Sequence, residues 1–127
     1  VQPPADRVID GVNLIPFARG EQGGRPHEQM FWRSGAYQVA RSGDWKLQVN
    51  ETQDKVWLFN LKDDPTEQHN LVDAEPTRVK ELLAQLAEFN SQQKAPLWPS
   101  LVEAPILIDK PLNRPQNADD EFIYWSN

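Results

Sequence analysis

Between residues 28 and 61 the chain alternates short apolar runs with tight turn signals, and that spacing leaves few folds open. The runs at 28–33, 36–41, 45–50 and 56–61 are rich in Val, Leu, Trp, Phe and Tyr, which suit a pleated, half-buried surface. Ser34-Gly35, Ser42-Gly43-Asp44 and the stretch from Glu51 to Lys55 separate them. Loops of about two to five residues join antiparallel neighbours, because a parallel crossover needs about a dozen or more. The spacing therefore predicts a four-stranded antiparallel meander, with Gly43 supplying the positive φ of a hairpin turn. Strand side chains alternate, so Trp45 and Leu47 point to one face as core, and Lys46 and Gln48 point to the other.

Downstream, Asp64 suits the cap of a helical turn, with Pro65 at its first position and Glu67 placed to reach back. The main helix is predicted over 76–93. Pro76 fits its first turn, and Val79, Leu82, Leu83, Leu86 and Phe89 or Asn90 recur at the spacing of one buried face. Upstream, Asp10 to Phe17 reads as a short helical turn closed by Gly20 and Gly23-Gly24. From residue 95 the prolines at 96, 99, 105, 111 and 115 argue against regular structure, yet the segment is too apolar for a free linker. It is expected to lie over the domain as an extended arm with a final short strand at 122–125. Trp98, Ile106, Ile108 and that strand should then be buried. The fold class is α+β: a four-stranded antiparallel sheet packed against one long helix, with a Pro-rich tail.

Val56-Trp57-Leu58-Phe59 and Met30-Phe31-Trp32 are apolar at consecutive positions and so offer large side chains to both sheet faces. One helix covers one face. The other is expected to leave Trp57 or Phe59 on a contact surface, so that the isolated chain self-associates.

The 127 residues make one ordinary domain, and 39% apolar with 25% charged residues is a globular rather than a disordered balance. No apolar run approaches the ~20 residues of a membrane-spanning helix, so no membrane partner is expected. A net charge of −6 gives no pull toward nucleic acid. The absence of cysteine excludes disulfides, thiol catalysis and Cys-zinc sites. The opening Val1-Gln2-Pro3-Pro4 has neither initiator Met nor leader character and reads as the inside of a longer protein. Asn50-Glu51-Thr52 fits the glycosylation triplet.

No catalytic constellation stands alone. His27 and His69 are not at ligand spacing, and Asp63-Asp64 and Asp119-Asp120-Glu121 lack the alternation and glycine of a calcium loop. Ser34 and Ser42 read as turn residues rather than nucleophiles, and Gly20 to Gly24 lacks the Lys-Ser/Thr of a phosphate loop.

Three segments together resemble the sulfatase family. Asp10-Gly11-Val12-Asn13-Leu14-Ile15-Pro16-Phe17 is similar to the "DGxxLxPxL" stretch that closes the family's catalytic domain. Phe31-Trp32-Arg33 followed by Ala40-Arg41-Ser42-Gly43-Asp44-Trp45-Lys46-Leu47 resembles its "R-x-G-x-W-K-L" hairpin. Leu58 to Leu71 is similar to "LYDLxxDPxExxNL", and a helix follows as in the family. The tail at 120–127 most resembles bacterial arylsulfatases akin to N-acetylgalactosamine-4-sulfatase.

The resemblance implies three regions: 1–26 as the end of the catalytic-domain connection, 27–94 as the C-terminal domain, and 95–127 as the arm. It implies a parent enzyme that hydrolyses sulfate esters or sulfated glycans, with calcium and a formylglycine made from the Cys or Ser of a "C/S-x-P-x-R" motif. This chain has no such motif, so calcium, formylglycine and all catalytic residues are implied for an upstream catalytic domain, its expected partner. In the family this hairpin borders the substrate cleft. Lys46, Gln48, Arg33 and Arg41 are therefore the candidates for contacting substrate, against the alternatives of solvated side chains or internal ion pairs. A bacterial parent would be periplasmic or secreted. The alternative reading is an independent carbohydrate-binding or protein-interaction module. The pure chain is predicted to leave a fluorogenic aryl sulfate intact, with or without calcium; turnover above a heat-killed control would overturn the assignment.

Overall fold

The computed structural model describes residues 5–6, 9–51, 53–95, 97–98, 103–107, 115, 117–118, 120 and 122–126, with backbone alone for 103–107 and 122–126. A single helical turn, α1 (Ile15–Ala18), precedes four strands: β1 (Gln29–Ser34), β2 (Tyr37–Ser42), β3 (Trp45–Asn50) and β4 (Lys55–Asn60). The strands pair antiparallel in chain order, as the short loops require. Helix α2 (Pro76–Ser91) follows, and β5 (Glu103–Leu107) pairs antiparallel with β6 (Phe122–Ser126) in a separate ribbon.

The first two turns share one solution. Ser34 opposes Tyr37 and Ser42 opposes Trp45, so each loop has two residues, and the first of each is glycine: Gly35 at φ 59° and Gly43 at φ 60°. Positive φ at the first position alone is the pattern of a type II′ turn, whose twist matches the strands it joins. A Cβ on Gly43 would meet only Arg25 Nη1, at 3.7 Å, so backbone conformation rather than space selects glycine there.

Alternation divides the sheet into two faces. Ala40, Leu47 and Leu58 lie fully buried on one, against Leu82 and Leu86 of α2, with Phe31, Trp45, Val49, Val56, Leu71 and Val79 around them. Phe89 stacks on Phe31 with ring centroids 4.7 Å apart, and the Arg78 guanidinium lies over the Trp45 ring at 5.5 Å. Trp45 and Leu47 thus take the core positions that alternation predicts. Leu83 does not: it stays 37% exposed, because it is a full 100° step around α2 from Leu82, which carries the contact.

The opposite face holds a second cluster of Tyr37, Val39, Trp57 and Phe59, with Leu61 packed on it. Trp57 is 1% and Phe59 2% exposed, which corrects the expectation that either would lie on an open contact surface. The neighbours Tyr37, Val39 and Leu61 close around them, and β6 approaches β2. The exposed aromatic of this face is instead Trp32, on the edge strand β1.

The other edge, β4, is closed by the segment that follows it. The Leu58 N–H donates to Asn70 Oδ1 at 3.0 Å, and the Leu71 N–H donates to the Leu58 carbonyl at 2.8 Å. These bonds occupy backbone groups that an open edge would present to another chain. Asn50, the acceptor position of the glycosylation triplet, is 1% exposed, and its Oδ1 accepts from the Gln53 N–H.

The expected final strand is present as β6. β5 is not expected from sequence, since Pro105 lies inside it, but each strand of a two-stranded ribbon has a free edge that tolerates proline. Trp98 is 78% exposed, contrary to its expected burial; it precedes the ribbon and packs into neither cluster. The side chains of Ile106 and of residues 122–125 lie outside those described, as does Ile108 altogether.

Leu82→Ala is expected to cost about 2–5 kcal/mol in urea denaturation, because the cavity opens between helix and sheet. Leu83→Ala should cost under ~1 kcal/mol. Equal losses would contradict this placement of the helix.

Candidate functional site

Antiparallel register gathers three of the four candidate side chains. Arg41 lies opposite Lys46, and Val39 opposite Gln48, so Arg41, Lys46 and Gln48 share the face that α2 leaves free. Arg33 opposes Gln38 and projects from the other face, exposed, two residues from Phe31.

The residue that organises this site is Glu67, which the sequence assigned to a capping box. No helix forms at 65–68, and Glu67 instead takes φ 58°, in the left-handed region. That turn swings its carboxylate onto the sheet. Lys46 Nζ donates to both of its oxygens, at 2.7 and 2.8 Å, and Gln48 Nε2 donates to Oε2 at 2.6 Å. Tyr37 Oη donates in turn to Gln48 Oε1 at 2.5 Å. Gln48 is 2% exposed, so this buried amide has both its oxygen and its nitrogen engaged. Burial, and then the nearby Glu67 carboxylate, push the Tyr37 hydroxyl well above the ordinary tyrosine range.

Asp64 does not cap a helical turn as expected, since none forms; its Oδ2 instead accepts from the His69 N–H at 2.8 Å and closes the loop. Partial burial works against its charge, but the backbone N–H groups of Gln68 and His69 outweigh that and hold the carboxyl below the usual range. Asp44 is also held low, first by its hydrogen bond from Arg25, against partial desolvation. Both folded-state pKa values are depressed, so the stability they confer is present above the ordinary carboxylate range. It is lost as pH falls through the folded values.

Trp32, Tyr37, Val39, Arg41, Lys46, Leu61 and Glu67 line an open concavity of about 350 Å³. Lys46 is neutralised within it by Glu67. Arg41 Nε donates to the Gly43 carbonyl at 3.3 Å, its one hydrogen bond among the described residues. A second concavity, of about 480 Å³, lies on the other side of Arg41 among Val12, Leu14, His27 and Met30.

Among the described residues no group of three or more His, Asp or Glu side chains is placed to hold a metal ion. Trp32, Tyr37 and Glu67 are among the members that sequence reasoning missed. The consecutive apolar run at 30–32 was a signal for Trp32, whereas nothing in the local pattern marks a residue whose backbone turns left-handed. No model of a known protein family matches the chain.

Glu67→Ala is expected to destabilise the fold by about 1–3 kcal/mol, since it strands Lys46 and Gln48 and keeps the positive φ. Glu67→Gly should recover part of that loss, up to about 1 kcal/mol, by suiting the backbone. Thermal or urea unfolding of the pair measures it, and Gly no better than Ala would contradict the strained turn.

Proposed function

We propose that this chain is the C-terminal domain of a sulfatase, a sulfuric ester hydrolase, where it completes the fold and borders the substrate cleft. The observation that carries the proposal is the ordered set of three motif segments, at 10–17, 31–47 and 58–71. The fold is consistent with it: the second segment forms a tight hairpin whose Trp45 and Leu47 enter the core, and the third folds back along β4 through Asn70 and Leu71. Leu58, Asp64, Glu67, Asn70 and Leu71 each make a specific bond within that third segment or to the sheet, which gives its residue pattern a structural cause.

In this proposal the chain supplies no nucleophile and no metal ligands; formylglycine and calcium belong to an upstream catalytic domain. What these residues do is position and neutralise. Glu67 absorbs the charge of Lys46 and fixes Gln48, so the side of the hairpin turned toward a substrate presents Arg41 as its open cation. The fork of a guanidinium suits a sulfate oxygen pair.

The test is the coding sequence upstream of Val1, expressed together with this chain. A "C/S-x-P-x-R" motif there, a formylglycine found by mass spectrometry, and hydrolysis of an aryl sulfate by the full product are expected. An open reading frame without that motif would sink the sulfatase assignment and leave the interaction-module alternative.

A further inference from the structure

We infer that the outer edge of β1 is an interface for a second copy of this chain, joined across a two-fold axis by antiparallel strand pairing centred on Phe31. The inference rests on the geometry of this chain and is independent of the activity of the parent.

Backbone direction comes first. The Glu28 carbonyl accepts from the Gly43 N–H at 2.9 Å, one step before the Gln29–Ser42 pair. Antiparallel ladders bond alternate residues, so Met30, Trp32 and Ser34 turn their N–H and C=O groups toward β2, whereas Gln29, Phe31 and Arg33 turn theirs outward. No backbone group bonds to those three among the described residues. At the other end of the sheet β4 has the segment up to Leu71 bonded along it. The six residues of β1 have no such cover, no proline and no bulge, so this edge lacks the usual protections against pairing. An open concavity of about 450 Å³ lies beside it, lined by Asp10, Gln29, Met30, Phe31, Trp32 and Phe89 among others.

Side-chain pattern identifies the occupant. A two-fold pairing must set outward-turned residues opposite one another, and centring it on Phe31 meets that condition. Phe31 then opposes Phe31 of the second copy, Gln29 opposes Arg33, and Met30 opposes Trp32 on the other face. Apolar meets apolar, polar meets polar, and no like charges are opposed. Aromatic pairs and sulfur–aromatic contacts are favourable neighbours across strands, and Trp32, 47% exposed, gains cover. The adjacent allowed registers lose this match, because they set Phe31 opposite Gln29 or opposite Arg33.

Charge selects the same register. Asp10 is exposed and lines the concavity together with Gln29. Pairing centred on Phe31 places Arg33 of the second copy opposite Gln29, at the end of the concavity that Asp10 lines, and symmetry makes two such contacts. A net charge of −6 on each copy opposes association at longer range, so the dimer is weak and reversible.

The experiment uses the full 127-residue chain. Sedimentation equilibrium is expected to show a reversible monomer–dimer mixture. Arg33→Asp and Asp10→Arg should each weaken dimerisation about tenfold, since each replaces two attractive contacts by two repulsive ones, and the two changes together should restore it. The chain has no cysteine, so introduced thiols report the register directly. In a hydrogen-bonded pair, positions 29 and 33 have Cα atoms about 5.5 Å apart, within disulfide reach, whereas the same position in two copies is over ~10 Å apart along the strands. An equimolar mixture of Gln29→Cys and Arg33→Cys chains should therefore oxidise chiefly to the mixed disulfide. Three results would each overturn the inference: mixed and like-with-like disulfides in statistical proportion, a double charge swap no better than the single ones, or a monomer at every concentration, which would leave the edge to another segment of a longer chain.

Discussion

Trp57, Leu58 and Phe59 are consecutive in β4 and all but inaccessible to solvent, at 1%, 0% and 2%. Alternation sends Leu58 to one face and the two aromatics to the other, so the sheet has to be covered on both sides. Much of the rest of the chain meets that demand. Helix α2 answers on the Leu58 side with Leu82 and Leu86. On the aromatic side, Tyr37 and Val39 of β2 and Leu61 beyond β4 close the cluster, and a polar network borders it.

The segment between β4 and α2 does more than connect them. It pairs with the edge of β4 at Leu58, sends Leu71 into the helix-side cluster, and delivers Glu67 to the opposite face. Two backbone devices make this possible: the Asp64 carboxylate bonded to the His69 N–H, and the left-handed Glu67. A non-glycine residue at positive φ costs energy, and here three charged or charge-assisted hydrogen bonds to Glu67 offset that cost. Strain and polar network therefore hold each other in place.

That coupling also determines what the exposed face offers a ligand. Read residue by residue, Lys46 and Arg41 are equivalent cations. Once Glu67 is placed, Lys46 becomes a fixed part of the wall of the concavity, with Gln48 buried behind it, and Arg41 is the cation that Glu67 does not bond. The same residues that stabilise the sheet thus set the polarity of the adjoining surface, because a carboxylate shared with Lys46 cannot also neutralise Arg41.

The four strands, their order, the glycine turn at Gly43 and the inward Leu82 and Leu86 were legible in the sequence, because each follows from local periodicity or local backbone preference. So was the division that places Lys46 and Gln48 opposite Trp45 and Leu47. The burial of Trp57 and Phe59, the exposure of Trp98 and the separation of Arg33 from Arg41 across the sheet depend on which surfaces meet, and only the tertiary structure decided those. Glu67 is the clearest case. Its spacing from Asp64 fits a capping box, yet the partners that claim its carboxylate, Lys46 and Gln48, lie 21 and 19 residues earlier. Local pattern carries no information about a bond made across that distance, and a charge-assisted pair on a half-buried surface outweighs one turn of helix.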